Sequence, residues 1–348
     1  MSNPIVGAGR HTFEVHEDWA RPPEGCEMMA ASVTVDTDDR VYCFNRDKTH
    51  SVMVFNRDGS YVTSWGAGQF AFAHTIRAAK DGNLWLVDRD HAQMYLYTRS
   101  GELLRTIGVK GHRSETGVAP DDFRSDAFLR VKHGGGPFNL PTDIDVAASG
   151  EFFVTDGYGN ARVHKYSKEG KLLFSWGEPG QGPGQFILPH GIAVDSSGLV
   201  YVADRENSRV QVFKGDGEYV REWGWLNRPY DIFIDDQDML HIAEGGFHNY
   251  MMKRSEGPLP AHDQTMIYPP CGHSPIARVT VCDPDGKIAA QVGGENPVLP
   301  GNFVAPHGIW ADKRGDFYVG EVIVNAGAVK RMAPLRPAGF QKFRRRAG

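Results

Sequence analysis

The sequence is short of cysteine and has no long apolar run. Its four cysteines, Cys26, Cys43, Cys271 and Cys282, show no paired close spacing, so we predict reduced thiols and a cytoplasmic protein. No stretch approaches the roughly 18 apolar residues of a transmembrane helix, and the N-terminal segment has no apolar core of signal-peptide length. These absences argue against a disulfide scaffold and predict that no membrane partner is involved.

Positive charge is also in short supply. Lys and Arg total 38 against 43 Asp and Glu, which gives a formal net charge of −5 over 348 residues. Nucleic-acid binding needs net positive surface, so we predict no nucleic-acid partner. The short basic run at residues 343–346 is expected to be a solvated end.

Glycine is abundant, with 41 residues, and a unit of about 40 residues recurs along the chain. The clearest unit, residues 188–224, contains the strand-like segments GIAVD, LVYVAD, SRVQVF and EYVREWG, with Ser-Ser-Gly and Gly-Asp-Gly at the hairpin turns. The same unit recurs, in full or in part, at residues 32–66, 72–108, 140–177, 228–245 and 305–321. Repeats of four short strands predict an all-β, six-bladed β-propeller that forms a single domain over residues 1–348.

The last repeat lacks a fourth strand. We predict that VKRMAP, residues 329–334, is its third strand, and that the N-terminal segment HTFEVHEDW supplies the fourth, because it resembles EYVREWG. The ring would then be closed by both ends of the chain, which protects the sheet edges.

Two insertions, at residues 109–139 and 246–275, interrupt the repeat, and we expect both over one mouth of the channel. The second carries His248, His262, Cys271 and His273. A lid that shapes the pocket is the preferred interpretation of this segment, with a second metal site as the alternative.

Histidines recur at one position of the repeat, two residues before the apolar residue that opens each innermost strand. Around the ring this position is occupied by Ala31, His74, Thr142, His190, Tyr230 and His307. The histidines fall on alternate blades, about 120° apart on a six-fold ring, so their imidazoles can converge on the channel axis. Three neutral histidines with an open fourth position are a common catalytic zinc arrangement that also suits other divalent metals.

A second set of candidate site residues lies at the ends of the second strands. These ends lie beside the starts of the innermost strands, at the same mouth of the channel. The residues there include Arg46, Arg89, Tyr158 and Arg205. An arginine fork suits a carboxylate, and a tyrosine beside a dication can act as a base. The alternative is that these arginines pair with blade acids such as Asp88 or Asp204.

These segments resemble a known family. The repeat is of the NHL type, and LPTDIDV…VTDGYGNARV, GQFILPHGIAV…VADRENSRVQVF and APHGIWADKRGDFYVGE are similar to the core of peptidyl-α-hydroxyglycine α-amidating lyase. The resemblance covers blades 2, 3, 4 and 6 clearly and is weaker in blades 1 and 5. It implies zinc on three channel histidines, an active-site tyrosine and arginine, and a further substrate-binding arginine. The matching positions are His74, His190, His307, Tyr158, Arg205 and Arg46.

The sequence also departs from that family. Gly159 and Val212 stand where secreted animal members have cysteines, which agrees with a reducing compartment. Gly308 replaces an acidic residue that helps hold a structural calcium, so the resemblance does not carry that calcium over. Arg89 and the two insertions have no counterpart that we can place, and we expect no fused monooxygenase domain.

Three functions are compatible with these residues. The first is a metal-dependent lyase that acts on a small carbinolamine or α-hydroxy substrate bearing a carboxylate. It would use one divalent transition metal, zinc by preference, and Tyr158 as the base. Arg205 and Arg46 would contact the carboxylate or the developing charge, and Arg89 would bind substrate. The second is a metal-dependent hydrolase of a lactone, ester or amide on the same propeller. The third is a non-catalytic NHL interaction module. The sequence sets neither the substrate nor the oligomeric state.

Overall fold

The protein is a six-bladed β-propeller, as the repeat predicts. The computed structural model describes residues 2–124, 126–246, 276–323 and 339–346. One five-stranded and five four-stranded sheets form the blades. Within these described ranges no helix is long and apolar enough to span a bilayer.

The strands are numbered along the chain. The chain begins with β1 (Ile5–Ala8) and β2 (His11–His16). Blade 1 comprises β3 (Ala30–Val35), β4 (Val41–Asn45), β5 (Val52–Phe55) and β6 (Tyr61–Trp65). Blade 2 comprises β7 (Ala73–Ala78), β8 (Leu84–Asp88), β9 (Gln93–Tyr97) and β10 (Leu103–Ile107). Blade 3 comprises β11 (Pro141–Val146), β12 (Phe152–Asp156), β13 (Arg162–Tyr166) and β14 (Leu172–Trp176), and the short parallel pair β15 (Glu178–Pro179) and β16 (Gln185–Phe186) follows it.

The second half repeats this pattern. Blade 4 comprises β17 (Pro189–Val194), β18 (Val200–Asp204), β19 (Arg209–Phe213) and β20 (Tyr219–Trp223). Blade 5 comprises β21 (Pro229–Ile234), β22 (Leu240–Glu244), β23 (Arg278–Cys282) and β24 (Ile288–Val292). Blade 6 contains β25 (Pro306–Ala311), β26 (Phe317–Glu321) and β27 (Phe340–Arg345). Two short 3₁₀ helices span Ala127–Arg130 and Arg205–Asn207.

The ring is closed by the N-terminal strand, as predicted. Strand β2 pairs antiparallel with β27, and β1 adds a fifth strand outside β2, in the order β1-β2-β27-β26-β25. The predicted third strand of this blade is wrong: β27, not residues 329–334, pairs with β26, and residues 329–334 lie outside the described residues. The basic run is therefore part of a sheet, and Phe343 within it is fully buried.

The hydrophobic core is divided among the spaces between blades. Six apolar clusters each lie between two successive blades, for example the one that joins Trp85 of blade 2 to Phe152 of blade 3. Because both faces of each sheet are covered by neighbours, the second strands are buried along their whole length. The blades therefore stabilise one another around the ring.

A tryptophan at the end of several outer strands reinforces this stacking. Trp65, at the end of β6, packs on the turn of the next blade at Gly101, which has φ of 87°. A Cβ atom on Gly101 would lie 2.8 Å from the indole, so only glycine permits this contact. The repeated Trp-Gly ending of the sequence units thus marks the contacts between blades.

Candidate metal centre

The residue at the histidine position of the repeat is a β-bulge in every blade. In each innermost strand the register against the second strand shifts across this residue, so it has no partner on that strand. A bulge re-aims its side chain relative to the pleat. The bulged residues are Ala31, His74, Thr142, His190, Tyr230 and His307.

The three histidines on alternate blades come together as predicted. The ring centroids of His74, His190 and His307, hereafter the histidine triad, lie 4.7–4.9 Å apart, and their exposed fractions are 0%, 2% and 3%. One ring nitrogen from each lies within 4.8 Å of the others. The sequence pattern therefore identified the correct positions for a three-histidine cluster.

Each imidazole is anchored by the blade that follows it. The Nδ1 atoms of His74, His190 and His307 lie 2.5, 2.7 and 2.8 Å from the backbone carbonyls of Thr142, Tyr230 and Ala31. These carbonyls belong to the bulged residues of blades 3, 5 and 1. Because a carbonyl oxygen only accepts hydrogen bonds, each Nδ1 carries the proton. Each Nε2 is then unprotonated and has a lone pair that can bind a metal ion.

The residues after two of the histidines permit this close approach. A Cβ atom on Gly191 would lie 2.8 Å from the carbonyl oxygen of Tyr230, and one on Gly308 would lie 2.5 Å from Cα of Ser32. Glycine therefore lets the next blade come close enough to accept the hydrogen bond. The replacement of an acidic residue by Gly308, noted in the sequence, thus has a packing role.

The protonation state of the triad suits metal ligation. Burial, together with the neighbouring histidines and arginines, holds the pKa of His74, His190 and His307 well below its usual range. The Nε2 atoms of His74 and His307 are buried without a hydrogen-bond partner. Buried nitrogen atoms without partners cost free energy unless something binds them, and neutral imidazoles are the form that binds metal. The residues therefore fit a divalent transition metal.

Buried side chains at the ends of the second strands fix the loops that present the triad. Asp88 accepts hydrogen bonds from the backbone N–H groups of Ala71 and Phe72, just before His74, and Asp204 accepts one from Ile187, just before His190. Equivalent bonds are made in every blade, by Asn45, Asp88, Asp156, Asp204, Glu244 and Glu321. These side chains are structural, and no described contact joins Asp88 or Asp204 to Arg89 or Arg205, which pair instead with the neighbouring acids Asp90 and Glu206.

Tyr158 and Arg205 lie directly beside the triad. The Tyr158 hydroxyl is 3.2 Å from Nε2 of His190, and Nη1 of Arg205 donates to that hydroxyl at 3.1 Å. Both side chains are buried, at 6% and 5% exposure. Arg205 pairs with Glu206 rather than Asp204, at 2.7 Å. A phenol and a guanidinium thus stand where a ligand of the triad would bind.

Arg46 and Arg89 form a second wall of the site, the opposite wall to Arg205, together with Phe72, an aromatic residue that was not predicted from the sequence. Their Cζ atoms lie 4.1 and 3.9 Å from the ring centroid of Phe72, and Arg89 also lies 5.0 Å from the ring of Tyr158. Arg89 pairs with Asp90 at 2.7 Å. Burial lowers the pKa of Arg46 to about 9. This wall is cationic and suits an anionic group.

Tyr230 is a second site residue that was not predicted. Its ring centroid lies 4.9 Å from that of His190 and 5.6 Å from that of His307, and Cζ of Arg205 lies 4.8 Å above it. A signal was present in the sequence, because Tyr230 occupies the histidine position of blade 5. It was not selected because only the histidines offered an obvious ligand atom.

The first insertion contacts the site. The carbonyl of Phe123 accepts a hydrogen bond from Arg89, and Thr116 donates to the carbonyl of Gly159. Val118 and Ala127 belong to the same apolar cluster as Tyr158. Of the second insertion only residue 246 is described, so its four predicted metal-ligand candidates lie outside the described residues.

The cysteines that the structure describes, Cys26, Cys43 and Cys282, are free thiols. Burial raises the pKa of Cys26 to about 11 and that of Cys282 to about 12, so both are protonated at neutral pH. Cys271 lies outside the described residues.

Comparisons with known proteins give a consistent relationship. The NHL repeat model matches residues 138–166 and 186–213, which fall in blades 3 and 4. The human NHL repeat-containing protein 3 is 30% identical over 223 residues, which cover 61% of this chain and 59% of that protein. The peptidyl-alpha-hydroxyglycine alpha-amidating lyase 1 of Drosophila melanogaster is 32% identical over 167 residues, or 44% of this chain and 27% of that protein. This chain is a β-propeller that contains NHL repeats and is similar to the amidating lyases over part of its length.

The relationship to these curated proteins is partial, because the matched segments span less than two thirds of their length. Among solved structures, a virginiamycin B lyase from Staphylococcus aureus superposes with a TM-score of 0.54 at 15% identity, over 89% of this chain and 82% of that one. At this identity the similarity supports the propeller fold alone.

Proposed function

We propose that this protein is a metal-dependent lyase that cleaves a C–N bond in a small carbinolamine-type substrate bearing a carboxylate. The observation that carries the proposal is the convergence of three neutral, anchored imidazoles, two with unpartnered Nε2 atoms, beside the Tyr158 hydroxyl and Arg205. Its relationship to named amidating lyases supports the same reaction class.

A divalent transition metal, zinc by preference, would be held by His74, His190 and His307. When bound, it would supply Lewis acidity, which lowers the pKa of a hydroxyl group beside it. The donor set is three neutral nitrogens with further positions open, the arrangement of catalytic rather than structural zinc.

The chain's own residues account for the remaining steps. In an N-acyl-α-hydroxyglycine, Tyr158 as its phenolate takes the proton of the hydroxyl group, the carbonyl of glyoxylate forms as the C–N bond breaks, and Tyr158 passes that proton to the departing amide nitrogen. The products are the primary amide and glyoxylate, with no water consumed. Arg205 donates to the Tyr158 oxygen and would stabilise the phenolate form that Tyr158 must have to act as the base.

The opposite wall would bind the substrate carboxylate. Arg46 and Arg89 present two guanidinium groups around Phe72, and burial strengthens their attraction for an anion. We therefore propose an anionic small molecule as substrate. The cytoplasmic location remains a prediction from the sequence.

The test combines metal analysis with a product assay. We expect about one transition-metal ion per chain, and release of glyoxylate from N-benzoyl-α-hydroxyglycine that is abolished by a chelator and restored by Zn²⁺. A related hydrolase on the same site would instead incorporate ¹⁸O from solvent water into product. Absence of bound metal after exposure to Zn²⁺ and Co²⁺, together with no turnover, would leave the interaction module as the better hypothesis.

A further inference from the structure

One buried carboxylate beside the site has no role in the reaction described so far. Glu206 lies in the 3₁₀ turn Arg205–Asn207, and its side chain is 3% exposed. It bonds to two guanidinium groups from different blades. Nε of Arg205 donates to Oε1 at 2.7 Å, and Nη2 of Arg228 donates to the same oxygen at 2.8 Å.

These bonds continue into the metal centre. Arg205 uses Nε and Nη2 on Glu206 and Nη1 on the Tyr158 hydroxyl, which in turn contacts Nε2 of His190. Glu206 is thus separated from Tyr158, the base in the proposed reaction, by one side chain, that of Arg205. It touches neither the triad nor Phe72 in any contact that the structure describes.

We infer that Glu206 is a positioning residue for the proposed reaction: its carboxylate fixes Arg205 against the hydroxyl of Tyr158. The inference rests on the proposed function for its kinetic consequence, but its geometric content stands on the structure alone. Without that carboxylate, Arg205 would face a second guanidinium, Arg228, with no anion between them.

The surroundings of Glu206 support a fixed, ionised carboxylate. Burial alone would raise its pKa, but Arg228 and Arg205 outweigh that effect and hold the pKa below its usual range. Both guanidinium groups also lie over the Tyr230 ring, at 4.8 and 5.7 Å from its centroid. The guanidinium group of Arg205 is therefore held by a salt bridge to Glu206 at its edge and by the ring of Tyr230 at its face.

The experiment compares Glu206→Gln with a matched control, Asp316→Asn. Asp316 is also a carboxylate with 3% exposure between two cations, Arg57 and Lys342, but it lies at the opposite end of blade 6 from His307. For each variant, the crystal structure, the metal content and kcat/KM on N-benzoyl-α-hydroxyglycine are measured. Glu206→Asp, which keeps the charge, serves as the rescue variant.

In Glu206→Gln we expect Arg205 to leave the Tyr158 hydroxyl, with metal content unchanged. Loss of a group that orients a reacting residue lowers activity by roughly 10- to 100-fold, and Glu206→Asp should recover part of it. Asp316→Asn should keep both the activity and the Arg205–Tyr158 hydrogen bond.

An Arg205 that stays on Tyr158 in the Glu206→Gln crystal structure would overturn the inference whether or not the protein is a lyase. So would equal kinetic losses in the Glu206→Gln and Asp316→Asn variants. Failure of the proposed function alone would look different, because wild-type protein would release no glyoxylate while the crystal structures still showed Arg205 displaced.

Discussion

Two layers of buried polar side chains occupy the channel, and they differ in whether the protein itself supplies all of their polar partners. Below the histidine triad, Arg77 of β7 lies between Asp143 of β11 and Asp231 of β21, all within 4% exposure; we call these three the axial ion cluster. Asp143 also accepts the backbone N–H of Ile192, and Asp231 that of Ile309. The cluster thus connects five of the six blades through groups supplied by the protein.

The histidine triad, by contrast, has hydrogen-bond partners for only some of its ring nitrogen atoms. Its Nδ1 atoms have carbonyl partners, but the Nε2 atoms of His74 and His307 have none. Both layers are costly to bury. The ion cluster offsets that cost internally, whereas two Nε2 atoms of the triad have no such partner, and this difference is why we propose the triad as the functional layer.

The sharpest test of this contrast is His307→Ala. Loss of one of three ligands should abolish stoichiometric metal binding, because the remaining pair cannot hold the ion in the same geometry. The Lewis-acid contribution is worth several kcal/mol, so kcat/KM should fall by at least about 10³-fold. Metal content is read by mass spectrometry, and fold integrity by circular dichroism. Full metal content in this variant would contradict the assignment.

Arg77→Met should have the opposite profile. Removing the cation leaves Asp143 and Asp231 buried without their partner, which costs about 3–5 kcal/mol of unfolding free energy. Denaturant titration measures this loss, and the surviving folded protein should still bind metal. His307→Ala in the metal-free state provides the comparison, because it removes the unpartnered Nε2 and a single hydrogen bond from Nδ1 to Ala31 but leaves no buried charge without its partner, and should cost less. Similar losses in the two variants would remove the distinction between the layers.

Tyr158→Phe tests the function of the upper layer without removing a ligand. It deletes only the hydroxyl that receives a hydrogen bond from Arg205. We expect metal content and thermal stability close to wild type and a fall in kcat/KM of about 10²-fold, or about 2.7 kcal/mol, the usual size of a general-base contribution. Unchanged turnover would exclude Tyr158 as the base.

The smallest expected effect is the contribution of one triad histidine to the pH dependence of the metal-free protein. Burial keeps the triad neutral in the folded state, whereas the unfolded chain takes up protons below about pH 6.5. The folded state then binds fewer protons, so stability falls as the pH drops, by about 1.4 kcal/mol per pH unit for each proton. Denaturation at pH 7.5 and 5.5 measures it, and His307→Ala should show a shallower slope.

The fold and the positions of the triad could be predicted because both are periodic. The turn positions repeat, so equivalent residues such as His74 and His307 could be aligned from the spacing of the turns alone. The bulge that turns these side chains inward leaves no mark in the composition, and Phe72 reaches the site from a loop that varies between blades.

The axial ion cluster and the last strand could not be predicted for a different reason. Arg77 lies deeper along its strand than Asp143 and Asp231 do, so no single repeat position contains all three. Residues 329–334 are predicted as the third strand of blade 6, whereas the basic run at residues 343–346 is expected to be solvated. Packing of Phe343 against Phe317 and Phe13, across blade 6, decides between them.

The pairing of β2 with β27 sets the order in which the protein can be completed during synthesis. Strand β2 (His11–His16) leaves the ribosome more than 300 residues before its partner, β27 (Phe340–Arg345). Until then β2 has an unpaired edge, and blade 6, which carries His307, lacks its outer half. Pairing between such distant segments is slow and leaves edges open to other chains. The sheet that carries His307 is therefore completed late, and a nascent chain that meets a second copy first is exposed to exchange of the β2 strand with it.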